Sequence, residues 1–368
     1  MSAARAVARM VATRQRPLWS SSSFATFSSD AARAIDCIVL HPDDPITMSD
    51  YGYLLKQESI ALFPAEPRGS SKLLRVDSYG EVSYYDHFGN AIPSLLHGCH
   101  VIFNNSRVLD ARLSVRLAGT GGSTPVELML LDLGNIDPTS PCNEHVIPAM
   151  IRSELVMIGD TMIEPISGVT IEVVNVKGIW EEEIESGGNG TDCIVRIHSS
   201  IGLEAFLTNN GSVPIPPYIQ RMVVPSDKER YNNVYAKFAG SVAAPTAGLH
   251  FTNDVLTLIG ETNISKLTLH VGAGTFKPVL SKDAREHSMH AENFSVNVKE
   301  LKSIIHAMEG GKPLAVVGTT SVRTLETIYW LGVKRLLLHQ TATSDINTLS
   351  QEVYDLGQFD WIALSALP

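Results

Sequence analysis

The sequence predicts an α/β protein: a mixed α/β sandwich domain interrupted by an inserted antiparallel all-β domain. Three observations carry that prediction. Short strand patterns feed Gly-rich bends and helices on both sides of the chain's middle, as at Leu314–Val317 followed by Gly318 and a helix bearing Val322, Leu325, Ile328 and Leu331. Between Ala111 and Phe206 helical periodicity is scarce and short β-rich runs recur between Gly, Ser, Asn and Asp. The 368 residues suffice for two domains of ordinary size. The expected division is 34–111 with 207–368 for the discontinuous α/β part and 112–206 for the insertion.

Composition narrows the class. Hydrophobic residues make up 44% and charged residues 18%, so a sizeable core can form. No apolar run approaches the ~20 residues that span a bilayer, so no membrane partner is expected. Cys37, Cys99, Cys142 and Cys193 are too widely spaced for a Cys-x-x-Cys pair, which argues against zinc, an iron–sulfur cluster or a disulfide framework. Net charge is −10, so a polyanionic partner would need a local basic patch.

Residues 1–33 read as a transit peptide. Arg5, Arg9, Arg14 and Arg16 precede a Ser20–Ser23 run, and the first acid is Asp30. The expected address is an organelle matrix, mitochondrion ahead of plastid. The cytoplasm is the alternative if this stretch is only a tail.

Ser49–Leu62 has the spacing of a helix stopped by Pro64. A turn-rich loop with Arg68 and Lys72 follows, then a hairpin of Leu73–Val76 and Val82–Tyr85. Val101-Ile102-Phe103 is a buried strand that runs into Asn104-Asn105-Ser106-Arg107, either a ligand-facing strand end or a solvated turn. In the insertion the expected strands are Arg112–Ala118, Val126–Leu131, Val146–Ile151, Thr161–Ile166, Thr170–Val174 and Cys193–His198, making a small barrel or sandwich. Trp180-Glu181-Glu182-Glu183 forms an acidic hairpin tip, poor ground for RNA. Val213–Ile219, with three prolines, returns extended, and Asp227–Lys237 reads as a helix with Tyr231 and Tyr235 on one side.

The most distinctive stretch is Ser241-Val-Ala-Ala-Pro-Thr-Ala-Gly-Leu-His-Phe251. Small residues let a backbone approach a bound molecule closely. Thr246 and His250 are the polar groups beside the bend. The pattern fits a pocket wall or a buried loop with a core histidine. A helix at Asn253–Ile259 and a strand at Ile264–Val271 follow, delivering His270 into Gly272-Ala-Gly-Thr275-Phe. Glu286–Glu292 interleaves acids and histidines without clean ligand spacing, so no metal is expected. Val298–Met308 is an amphipathic helix ended by Gly310-Gly311. Gly318-Thr319-Thr320-Ser321 then opens a helix, either as an anion-facing end or with Ser321 as its cap. Arg323 and Glu326 lie three apart near its start.

Together these segments resemble the S-adenosylmethionine:tRNA ribosyltransferase-isomerase family of the queuosine pathway. The matching pieces include Arg68-x-x-Ser71-Lys72-Leu-Leu, Phe103-Asn-Asn-Ser-Arg107-Val, Pro214-x-Pro-Pro-Tyr-Ile219, Ala243-Ala-Pro-Thr-Ala-Gly-Leu-His250-Phe, Thr268-Leu-His270-Val-Gly-x-Gly-Thr275-Phe, His287-x-Met-His290 and Gly318-Thr-Thr-Ser-Val-Arg323-Thr-Leu-Glu326. The resemblance spans roughly Asp50 to Trp330. It implies an α/β domain interrupted by a β-barrel. It implies ribosyl transfer and isomerisation from S-adenosylmethionine onto the 7-aminomethyl-7-deazaguanine wobble base of tRNA. The products would be epoxyqueuosine-tRNA, adenine and methionine. S-adenosylmethionine is then a consumed substrate, with no cofactor or metal.

That chemistry needs a base for the ribose C5′ hydrogens acidified by the sulfonium, and a proton donor for adenine. His250, His270 and Glu326 are the candidate catalytic residues. Thr246, Gly248, Gly272, Thr275, Thr319, Thr320 and Arg323 are candidates for holding S-adenosylmethionine, Arg323 through its carboxylate. Arg68, Lys72 and Arg107 are candidates for tRNA phosphates. The oligomeric state is open, with a monomer the simpler expectation.

Two departures from the family pattern stand out. A closing Thr-Asn-Phe-His-Leu-Pro segment is absent before Pro368, and Arg152-Ser-Glu-Leu155 replaces a basic Arg-Pro-Gly-Lys stretch. The first leaves open a piece of a longer sequence or a reduced member. A catalytically incomplete relative that binds tRNA or S-adenosylmethionine without turnover is therefore the alternative function. A methyltransferase is disfavoured, because no Gly-x-Gly-x-x-Gly loop follows a first strand.

Overall fold

The computed structural model describes residues 46–118, 125–133, 143–153, 156–181, 189–216, 218–272, 279, 281–287 and 289–341. The transit-peptide stretch, Thr275 and most of the acidic tip lie outside these residues. Helices and strands are mixed, as expected, and the inserted β-rich region closes into a barrel.

The strands in chain order are β1 (Leu73–Val76), β2 (Val82–Tyr85), β3 (His100–Asn104), β4 (Ser106–Val108), β5 (Arg112–Leu117), β6 (Val126–Leu130) and β7 (Glu144–Ile151). They continue with β8 (Thr161–Ile163), β9 (Thr170–Glu181), β10 (Asn189–His198), β11 (Phe238–Ser241), β12 (Ile264–Leu269), β13 (Phe294–Ser295) and β14 (Leu314–Val316).

The barrel runs β10-β7-β6-β5-β8-β9, with every pairing antiparallel. Its alternation is the physical cause of closure. On β7, His145, Ile147, Ala149 and Ile151 point inward, and on β10 Thr191, Cys193, Val195 and Ile197 do the same. Closing the sheet satisfies both edges and fills the interior with branched side chains. Burial, reinforced by Asp192, pushes the Cys193 thiol up to about 12, so it packs as an inert apolar group. Leu203, Phe206 and Leu207 of the helix Leu203–Asn210 join this core, as do Leu109 and Val242 from the α/β part.

The α/β part is a sheet ordered β13-β12-β3-β14, parallel except at β13. Val101, Ile102 and Phe103 of β3 are completely buried, because helices cover both faces of this strand. Val101 and Phe103 pack with Phe88, Phe251, Val255 and Ile259, from the helices Phe88–Leu95 and Asn253–Ile259 and the loop before the latter. Ile102 packs with Leu267, Ile304 of the helix Val298–Glu309 and Leu325. Asn297 caps that last helix by accepting the Lys299 N–H at 2.8 Å.

Three local expectations are corrected. Ser49–Leu62 holds 3₁₀ turns at Met48–Tyr51 and Gln57–Ser59 instead of an α-helix. Gly52 leaves the first turn in an extended conformation, and Leu54, Leu55 and Leu62 are exposed, so no apolar face is buried to sustain a helix. The helix expected over Asp227–Lys237 stops at Arg230. Asn232 accepts the Val108 N–H at 2.9 Å and Asn233 donates to the Pro245 carbonyl at 3.2 Å, so both asparagines serve other segments. Ser321 does not cap its helix. Its hydroxyl donates to the Val317 carbonyl four residues back, at 2.8 Å.

By compactness the chain divides into residues 57–277 with 290–325, and 1–56 with 278–289 and 326–368. The first unit contains the barrel and the α/β sheet. In the second, Ile46–Met48 pairs with Lys282–Ala284 through Met48 N–H to Lys282 O (2.9 Å) and Ala284 N–H to Ile46 O (2.9 Å). No helix among the described residues is long and apolar enough to cross a membrane.

Candidate active site

The stretch 241–251 is the hub of the larger unit. Val242–Pro245 are buried, whereas Thr246 and Ala247 reach the surface on a single 3₁₀ turn, Thr246–Gly248. Gly248 turns this bend against Asn233 and Tyr235. A Cβ built on Gly248 would run into the Tyr235 hydroxyl and stand 2.7 Å from Asn233 Oδ1, so only glycine allows the backbone so close.

Two other segments dock on this hub. The Val242 N–H donates to Val271 O at 2.9 Å, and the Val271 N–H donates to Ser241 Oγ at 3.0 Å. That zips the hub to the bend after β12, where His270 stands. The loop before the helix Thr319–Thr341 closes on the other side: a Cβ at Gly318 would lie 3.3 Å from the Ala247 Cβ. Asn104 ties these pieces together at the end of β3. It exchanges hydrogen bonds with the Leu269 backbone at 2.9 and 3.0 Å and reaches Thr320 Oγ1 at 3.5 Å. The polar run Asn104–Arg107 is thus neither a solvated turn nor a row of free ligands. Asn105 accepts the buried Thr268 hydroxyl at 2.7 Å, and the run splits β12 from β11.

His250 follows the hub. Its Nδ1 lies 2.9 Å from Ser71 Oγ, and the Phe88 ring leans against it with centroids 5.4 Å apart. The surrounding protein, then Arg230 and Arg68, lowers its pKa below the ordinary histidine value, although the residue as a whole is exposed. The neutral form of the imidazole is therefore favoured. Arg68 fixes the loop that carries Ser71. Its guanidinium donates to Asn232 O (3.0 Å), Leu249 O (3.2 Å) and Glu229 O (3.1 Å).

His270 is held differently. Its backbone N–H donates to Asn293 O at 3.0 Å, and its ring lies flat on Gly240. Gly240 has φ +145°, and a Cβ there would be 2.7 Å from the ring Nδ1. Among the described residues that buried Nδ1 has no hydrogen-bond partner. Burial lowers the pKa of this imidazole too, against an opposing contribution from Asp132, two residues past the end of β6.

A third group is organised by Glu292, whose side chain is only 4% exposed. Its carboxylate accepts the Gly272 N–H (3.3 Å), contacts His290 Nε2 (3.2 Å) and pairs with Arg323 (2.7 Å). Arg323 also donates to the His290 carbonyl at 2.7 Å. Among the described residues no group of three or more His, Cys, Asp or Glu side chains could hold a metal ion.

Of the sequence-selected residues, Thr246, Gly248, His250, His270 and Gly272 fall on these loops, and Thr319, Thr320 and Arg323 on the first turns of the helix Thr319–Thr341. Glu326 belongs to the smaller unit, and Thr275 lies outside the described residues. Lys72 is exposed beside Ser71. Arg107 pairs with Glu204 from the helix after the barrel, and Arg68 is turned toward backbone carbonyls. Four residues of the site escaped sequence reasoning: Ser71, Asn104, Gly240 and Glu292. Ser71, Asn104 and Glu292 stood within noted segments, but the pairing of Gly240 with His270 and of Glu292 with Arg323, each about thirty residues distant, is revealed by no local pattern.

Fold and site define a class: an α/β protein with a closed β-barrel, whose loops built from small residues carry two histidines, His250 and His270, with pKa values lowered by the surrounding protein. Comparison gives the family. The family described as queuosine biosynthesis protein matches residues 48–349, and the chain belongs to it. It is also similar to the S-adenosylmethionine:tRNA ribosyltransferase-isomerase of Sulfurihydrogenibium sp. (strain YO3AOP1), 36% identical over 282 residues, covering 76% of this chain and 77% of that protein.

Proposed function

We propose that this chain transfers and isomerises the ribosyl part of S-adenosylmethionine onto the 7-aminomethyl-7-deazaguanine wobble base of tRNA, releasing adenine and methionine and leaving epoxyqueuosine-tRNA. The observation that carries this reading is the family match across 48–349, together with the relative's similarity over three quarters of each chain.

The site's chemistry supports it. A sulfonium acidifies the adjacent C5′ hydrogens, and a neutral imidazole of modest basicity suits their removal near pH 7. His250 fits that role, its neutral form being favoured and the residue exposed. His270 and Glu326 are the other candidate acid–base groups. Thr246, Gly248, Gly272, Thr275, Thr319, Thr320 and Arg323 are proposed to hold S-adenosylmethionine. In the same reading Lys72, Arg68 and Arg107 meet tRNA phosphates, and residues 1–33 direct the chain to an organelle, mitochondrion first.

Incubation of the protein with S-adenosylmethionine and tRNA bearing the aminomethyl base tests the activity. Free adenine and a tRNA that gains the ribosyl mass are expected. S-adenosylhomocysteine in place of adenine refutes the reading, and binding without product favours a catalytically incomplete relative.

A further inference from the structure

The Ser71–His250 contact has no evident structural need. Ser71 sits at the surface side of its loop, and its backbone is already fixed, because the Phe88 N–H donates to Ser71 O at 2.7 Å. Neighbouring bonds hold the loop in place: Gly89 N–H to Gly69 O at 2.8 Å, and Arg68 to the Leu249 carbonyl at 3.2 Å, one residue before His250. The hydroxyl is therefore presented to Nδ1 by a frame that does not depend on the hydroxyl. The Phe88 ring restricts rotation of the imidazole from the other side. Among the described residues, the ring's hydrogen bond to Ser71 is the one it makes, and Nε2 is left for a substrate.

We propose that Ser71 is the positioning residue of His250: its Oγ accepts the Nδ1–H, which fixes the tautomer and leaves Nε2 as the atom that takes the substrate proton. This inference rests on the base role given to His250 above. The step balances simply. Nε2 gains the proton from the ribose carbon, the C–H electron pair stays on that carbon, and the resulting imidazolium donates from Nδ1 to Oγ. The charged groups that act on the ring are Arg230, which pairs with Glu66 at 2.8 Å, and Arg68, which is turned to backbone carbonyls; both are cationic and both oppose the imidazolium. With no carboxylate among the groups that shift this ring's pKa, the Ser71 oxygen is the neutral acceptor that offsets the developing charge.

The test combines kinetics with nitrogen NMR. Ser71→Ala is expected to lower the rate of adenine release at saturating substrate roughly tenfold or more, the effect of one hydrogen bond to a charged group. The KM for S-adenosylmethionine is expected to change little. Loss of the acceptor destabilises the imidazolium, so the acidic limb of the pH–rate profile moves to lower pH. Ser71→Thr keeps a hydroxyl and is expected to recover most of the rate. Unchanged rate and pH profile in Ser71→Ala overturns the proposal. The ¹⁵N spectrum of the wild-type protein, with His250 assigned by its absence in His250→Gln, decides independently of any variant's folding. A neutral ring protonated at Nδ1 supports the proposal, and one protonated at Nε2 overturns it. Absence of adenine release by the wild type would instead remove the proposed activity, and the spectrum would still settle which nitrogen Ser71 engages.

Discussion

Glu292 and Arg323, 31 residues apart in sequence, form an ion pair at 2.7 Å in which the carboxylate is almost wholly enclosed. The same carboxylate holds the Gly272 N–H, so one buried charge ties the bend after His270 to the helix that begins at Thr319. Glu292→Gln keeps the shape but removes the charge. The expected result is a loss of about 1–3 kcal/mol of stability in urea titration, from a charge-assisted contact exchanged for one to a neutral amide. A midpoint equal to that of the wild type would show that the pair does not hold these segments together.

Gly240→Ala places a methyl group 2.7 Å from the His270 Nδ1, on backbone at φ +145° that L-residues avoid. The ring must move to make room. A displacement of about 1 Å can cost ~10²-fold in rate. The expected outcome is a loss of adenine release of that order in a protein that still folds, with about 1–3 kcal/mol less stability. A rate near that of the wild type would place His270 outside the chemistry.

His100, His250 and His270 all have pKa values lowered in the folded protein, burial being the first cause for each. Their neutral forms are favoured in the native state, so below the ordinary value of about 6.5 the unfolded chain binds more protons than the folded one. Stability is then fully present above that value and declines as pH falls through this window. Urea midpoints measured between about pH 7.5 and pH 5.5 should fall with pH. A flat profile would mean that these rings gain protons in the folded chain as readily as in the unfolded one.

Arg68→Lys separates anchoring from phosphate contact. A lysine keeps the charge but cannot spread donors over Glu229, Asn232 and Leu249 carbonyls. The expected outcome is a stability loss of about 1–2 kcal/mol, read as a lower urea midpoint. An unchanged midpoint would free Arg68 for a role at the tRNA alone.

Regular periodicity made much of the fold legible in the sequence. The barrel strands and the helix Val298–Glu309 follow from alternation or amphipathic spacing, and the Val101–Phe103 strand from an unbroken apolar run, all of which the structure buries, while the hairpin Leu73–Tyr85 forms as expected with most of its side chains exposed. Where side chains leave their own segment, the pattern misled. Asn232 and Asn233 serve Val108 and Pro245, which ends a helix that Tyr231 and Tyr235 seemed spaced to continue. Arg68 reads as a free cation in a loop, yet its partners are carbonyls 161 to 181 residues away. The hub 241–251 stood out for its small residues around a proline, but that pattern fitted a pocket wall and a buried loop alike, and only the family resemblance favoured the first. Its contacts with Gly318 and Val271 were not legible, because they depend on how the sheet brings loops together.

The central claim is that a neutral His250 on this loop hub drives the breakdown of S-adenosylmethionine into ribosyl, adenine and methionine parts. The most direct measurement follows adenine and methionine release from S-adenosylmethionine, with tRNA carrying the aminomethyl base, for the wild type and His250→Gln. The account predicts equal amounts of both products from the wild type and a rate lower by about 10² or more in the variant. Equal rates from the two proteins, or S-adenosylhomocysteine as the product, would contradict it.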